Sequence, residues 1–119
     1  MILMEDNNMF KPSISPEALL LSYTVKVAEV TARKVNTDYH NSTDVSEYPS
    51  LVKFVIVNDN KNVNDGQTFY IKLKKTDGLT PGDKFDFNKA KIVNGKVHFW
   101  ARKNYVNVSI KGDTVTRVQ

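Results

Sequence analysis

The chain has no cysteine, so disulfides and thiolate metal sites are excluded, and its two histidines, His40 and His98, lie far apart without ligand spacing. No metal or cofactor is expected. No apolar run reaches the roughly 18 residues of a membrane helix, and the N-terminus lacks a basic segment followed by an apolar one. Neither a membrane partner nor a secretory leader is expected, and the expected location is the cytosol. Glycine is scarce, and the five present stand apart from one another in turns, forming no phosphate-cradling loop. Catalytic patterns are missing too: Asp77, Asp83 and Asp86 occupy turns or alternate with phenylalanine, and no Ser and His arrangement suggests a nucleophile. No catalytic residue is expected, and the chain does not read as an enzyme.

What is present is a chain of 119 residues, one domain by length, with a net charge of +4 unevenly placed. Met1 to Val52 carries four Lys or Arg against seven acids, and Lys53 to Gln119 carries thirteen against six. Cations therefore gather in the half richest in strand patterns, as on a nucleic-acid surface, although a basic exterior kept for solubility has the same composition.

The stretch Thr68 to Lys75 is the most informative. Phe69, Ile71 and Leu73 fall on one face of a strand, Tyr70, Lys72 and Lys74 on the other, because side chains alternate at a period of two. A solvated face needs polar residues but has no need of a tyrosine between cations. A polyanion with flat bases would use both.

Along the chain, residues 1–18 read as an N-terminal arm in which Ile2, Leu3, Met9 and Phe10 carry docking surface, and Ser15-Pro16-Glu17 starts about one helical turn. Leu19 to Val35 is a long strand with Leu21, Tyr23, Val25 and Val27 on one face. Its phase then slips to Val30 and Ala32, as at a β-bulge. Asn36 to Glu47 reads as a polar loop carrying Tyr39 and His40. Leu51 to Val57 is a second strand with Lys53 marking its outer face, and Asn58 to Gly66 is a turn leading to the third strand at Gln67 to Lys75. Gly78 to Asp83 connects to a fourth strand at Lys84 to Val93, with Phe85 and Phe87 inward. Asn94-Gly95 gives a hairpin signal. The last strand, Lys96 to Ile110, carries Val97, Phe99 and Ala101 inward, then Val106, Val108 and Ile110 after a break at Lys103-Asn104.

Five strands, the first and last long and phase-slipped, predict an all-β five-stranded Greek-key barrel of the OB-fold type over residues 19–111, followed by a short tail, 112–119. Thr76 to Gly82 is too short to place a long helix between strands three and four. An immunoglobulin-like sandwich would need about seven strands.

Three strings, Tyr70-Ile-Lys-Leu-Lys, the Gly78-Leu-Thr-Pro-Gly-Asp-Lys entry to the fourth strand, and Ile92-Val-Asn-Gly-Lys-Val-His-Phe-Trp-Ala-Arg-Lys, together resemble the small single-stranded-DNA-binding proteins of bacteriophages. In size and arm the chain is most similar to those of lactococcal siphophages, over roughly Ser22 to Ile110. The resemblance implies an OB-fold, single-stranded DNA as ligand, replication and recombination as the setting, self-association, and the cytoplasm of an infected bacterial host. Replication or recombination proteins are possible further partners. The chain ends Thr114-Val-Thr-Arg-Val-Gln, not in the acidic tail with which bacterial counterparts recruit such proteins.

Alternation supports the same ligand independently. The second and third strands of an OB-fold carry its binding face, and Lys53, Tyr70, Lys72 and Lys74 fall there. Trp100 and Arg102 fall on the outer face of the last strand beside His98. Tyr70 and Trp100 are the expected stackers, Lys72, Lys74 and Arg102 the phosphate partners, and Lys103 and Tyr105 additional members. Competing assignments stay open: a cross-strand pair for Tyr70, a core or subunit contact for Trp100, and edge protection for Lys72 and Lys74. A protein-interaction barrel without nucleic-acid binding is the alternative from a different functional class, and RNA is an alternative ligand.

Overall fold

Alternation places Val25, Val27, Ile71, Leu73, Phe85 and Phe87 in the core as expected, whereas Ala32, expected to continue the inward set, is exposed. The computed structural model describes residues 13–35 and 41–118, except for the side chain of Arg102. Ile2, Leu3, Met9, Phe10, Tyr39 and His40, singled out in the sequence, lie outside the described residues. The chain is mostly β: β1 (Tyr23–Ala32), β2 (Ser50–Asp59), β3 (Thr68–Leu73), β4 (Lys84–Asp86), β5 (Ala90–Ile92), β6 (Lys96–Arg102), β7 (Tyr105–Gly112) and β8 (Val115–Arg117), with α1 (Pro16–Leu19) and α2 (Ser42–Glu47). One six-stranded sheet has the order β4-β1-β2-β3-β7-β6, and β5 pairs with β8 in a second.

The segment leading into β1 follows its local signals. Ser15 caps α1, its hydroxyl accepting from the Ala18 N–H at 3.1 Å, with Pro16 in the first turn. Leu20 then takes the core position and Leu21, expected inward, is exposed, because residues 20–22 are a turn and alternation begins only at Tyr23. The phase slip of β1 is present as register shifts at Thr24/Val25 and Val27/Glu29. These bends let β1 serve two neighbours, β2 along its length and β4 at Thr24 to Lys26.

Inside, Phe54 is fully buried, stacked on Phe69 with centroids 5.4 Å apart and meeting Phe85 edge-on at 6.4 Å. Val25, Val27, Val52, Ile71 and Leu73 close around them. The β2–β3 turn is held by Asp59, a buried carboxylate that accepts the backbone N–H groups of Lys61, Val63 and Asn64 at 2.9, 3.1 and 2.8 Å.

Among the described residues eight strands stand where five were expected, for identifiable reasons. The Lys84 to Val93 strand is cut in two because Asp86 forms a local turn, its carboxylate accepting from the Asn88 backbone and side-chain amides at 2.9 and 2.8 Å. The expected last strand is a hairpin: Arg102 pairs with Tyr105, and Lys103 takes φ 56° in the two-residue turn between them. Asn94-Gly95 does make a turn, with the Gly95 N–H on the Ile92 carbonyl, but joins strands of different sheets and so is no β-hairpin. Gly95 is not among the positive-φ residues; a Cβ there would lie 2.7 Å from Pro16 Cγ and 2.9 Å from the Ile92 carbonyl oxygen. Close packing, not backbone conformation, requires that glycine. The loop expected before β2 contains α2, and Val115 of the tail is buried within β8.

Candidate nucleic-acid interface

Ladder register decides which outward side chains share a surface, since residues directly opposite in neighbouring strands point the same way. Lys53 of β2 lies opposite Tyr70 of β3, and Lys72 lies beside Lys111 of β7 in the parallel pair. Across the hairpin, Lys111 faces Lys96, Ser109 faces His98, and Asn107 faces Trp100. One continuous surface therefore runs from β2 to β6. It contains Lys53, Tyr70, Lys72, Lys74, Trp100 and Tyr105, with Lys103 in the turn at the hairpin tip. Arg102 pairs with Tyr105 in the ladder, but its side chain lies outside what the structure describes.

Three rings on this surface are open to solvent: Tyr70 at 48%, Trp100 at 42% and Tyr105 at 70% exposure. A core position for Trp100 is thereby excluded. His98, two residues back on the same side of β6, stacks on Trp100 with centroids 5.6 Å apart and planes 20° apart. A cleft of about 770 Å³ is lined by Tyr70, Lys72 and Trp100 together with Phe69 and Val108 from the opposite strand faces, and a smaller hollow of about 330 Å³ lies among Trp100, Lys103, Tyr105 and Asn107.

The cations differ in how far they are already engaged. Lys74 pairs with Asp113 at 3.6 Å and lies 5.7 Å from the centre of the buried Tyr48 ring. Lys72 is 3.1 Å from Asp44, which also takes Arg33 at 2.8 Å and Lys111 at 3.4 Å. Partial burial alone would raise the Asp44 carboxyl; hydrogen bonds from Lys72 and Arg33, with their charges, outweigh it and lower it to about 2. Among the described residues, Lys53 and Lys103 make no ion pair.

No sequence pattern points to Asp44, Lys111 or the His98 stacking. Asp44 is 28 residues from Lys72 and 67 from Lys111, in a segment that reads as loop, so no periodicity joins them. The opposite hairpin side also departs from expectation: Phe99, Val106 and Val108 are exposed, as is Ala101, while Ile110 is buried. Pairing of β7 with β3 is confined to Ile110–Gly112, so among the described residues the outer hairpin has no third strand beside it to extend the core.

Among the described residues no group of three or more His, Asp or Glu could hold a metal ion, and no helix is long and apolar enough to cross a membrane. No protein-family model matches the chain, and no curated protein or solved structure matches it either.

Proposed function

We propose that this chain binds single-stranded DNA without regard to sequence, stacking bases on Tyr70, Trp100 and Tyr105 while lysines of the same surface meet the phosphates. The observation that carries the reading is the placement of three exposed rings and at least five lysines on one continuous strand surface. Water alone gives no reason to collect rings there, whereas unpaired bases have a π-face for each. Duplex DNA hides those faces inside its stack. Protection of unpaired strands in phage replication and recombination is the role assigned by this reading.

The same reading takes the sheet as a barrel of the OB type. It is supported by the parallel β3–β7 pair and by a bulged β1 shared between β2 and β4. In this view β4, β5 and β6 are pieces of an interrupted fourth strand. The β1–β2 segment with α2 and the β6–β7 hairpin then flank the β2–β3 surface, the positions from which such barrels grip a strand.

The test is titration of fluorescein-labelled oligo(dT) and of a duplex of equal length. Tight binding of the first with weak binding of the second supports the proposal; equal affinity for both sinks it. A protein-interaction role is the second reading, favoured by the exposed Phe99, Val106 and Val108 on the far side of the hairpin. That role predicts no oligonucleotide binding at all.

A further inference from the structure

Resting on the single-stranded-DNA reading, we propose that Asp44 occupies the protein's own phosphate site, so that a strand must compete with this carboxylate for Lys72 and Lys111. A hollow of about 330 Å³ is lined by Asp44, Lys72, His98, Trp100, Ser109 and Lys111. Ring pair, cations and acid thus border one space. A base stacked on the rings would carry its phosphate toward the two ammonium groups.

The three cations on Asp44 are not equivalent. Arg33 is the anchor: its side chain is 11% exposed and its guanidinium also donates to the carbonyls of Tyr48 at 2.9 Å and Asp44 at 3.4 Å. Lys72 and Lys111 are about a third exposed, at 32% and 31%, and Asp44 is the one hydrogen-bond acceptor each side chain has among the described residues. An ammonium has three donors, so each lysine keeps two for an incoming oxygen. Lys111 also lies 5.1 Å from the centre of the Tyr48 ring, which holds it near the hollow when its acid partner is displaced. The anchor therefore keeps the carboxylate in place while the lysines can be shared or surrendered. A carboxylate offers two oxygens where a phosphate offers the same contacts and the same sign of charge.

This arrangement lowers affinity on purpose or by necessity, and removing the acid must raise it. Asp44→Asn leaves Lys72 and Lys111 without a counter-charge, so one more phosphate is neutralised on binding. For single strands each such contact steepens the dependence of log K on log salt by about 0.7, or about fivefold in affinity over a tenfold change in salt. The experiment titrates fluorescein-labelled oligo(dT) over a salt series with wild type, Asp44→Asn, Lys111→Gln and Tyr70→Ala, each checked by circular dichroism.

The expected result is that Asp44→Asn, binding like wild type near about 1 M salt where the charge contacts no longer count, binds about fivefold tighter at about 0.1 M with a steeper slope, and that Lys111→Gln binds more weakly with a shallower slope. If Asp44→Asn binds like wild type while Tyr70→Ala binds less, the carboxylate only pins α2 and the inference is wrong, although the DNA reading stands. Should Asp44→Asn fail to fold, Lys111→Gln decides: an unchanged affinity and slope overturn the proposal. No binding by wild type removes the DNA reading and this inference with it.

Discussion

His98 lies nearly flat against Trp100, centroids 5.6 Å and planes 20° apart, so the imidazole backs one face of the indole and the two rings form one stacked unit rather than two separate ones. The pair exists because alternate residues of a strand share a side, and the His98–Ser109 and Trp100–Asn107 pairs put small polar neighbours next to both rings. His98→Ala is predicted to weaken oligo(dT) binding less than Trp100→Ala, since His98 supports the indole from one side. Fluorescence anisotropy of a labelled oligonucleotide measures both.

Tyr70→Ala and Tyr105→Ala should each lose about 1 to 3 kcal/mol of binding, the value of one stacked base. Their thermal midpoints should stay close to wild type, because both rings are exposed. Tyr→Phe at either position keeps the π-face and should retain most of the affinity. A large fall in melting temperature for Tyr70→Ala would mean that the ring is structural.

Phe54→Ala should cost about 3 to 5 kcal/mol of folding stability, as expected for emptying a fully buried aromatic site. Val106→Ala, on the exposed hairpin side, should change stability by less than about 0.5 kcal/mol. Urea denaturation separates the two.

Gly95→Ala should destabilise by about 1 to 3 kcal/mol, since the new methyl would press on Pro16 and on the Ile92 carbonyl. Thermal melting provides the check. A neutral outcome would show that α1 shifts freely against the Ile92–Gly95 turn.

Acid should destabilise the fold below the ordinary carboxylate range. Asp44 is lowered from 3.8 to about 2, and Asp59 is lowered by the Lys61 N–H bond, against burial, with further bonds from Asn64 and Val63. Both folded values lie below the unfolded ones, so their stabilisation is complete above 3.8 and is lost as pH falls through the folded value. For Asp44 that window is 3.8 down to about 2, at a cost on the order of 1 kcal/mol after solvent screening. Asp44→Asn should flatten the pH dependence of urea midpoints in that window.

Much of this fold can be read from alternation. Phe69, Ile71 and Leu73 against Tyr70, Lys72 and Lys74, and the slipped phase of β1, depend on a period of two that needs no tertiary knowledge. Strand ends were harder, because the signals that set them are short. Lys103-Asn104 lacks glycine and so reads as a phase slip rather than a reversal, and Asp86 ends β4 through a side-chain turn. The cation surface was legible only in part. Alternation places Lys72 outward, but its acid partner approaches from a helix in another segment, and only the folded chain brings them together.

The lone tryptophan offers the most direct test of the central claim, because Trp100 is both the proposed platform and the sole indole reporter. Its emission should be quenched on addition of oligo(dT) and restored at high salt, as the phosphate contacts are lost. Emission that stays unchanged through the titration, with the protein folded and the oligonucleotide in excess, would contradict the account.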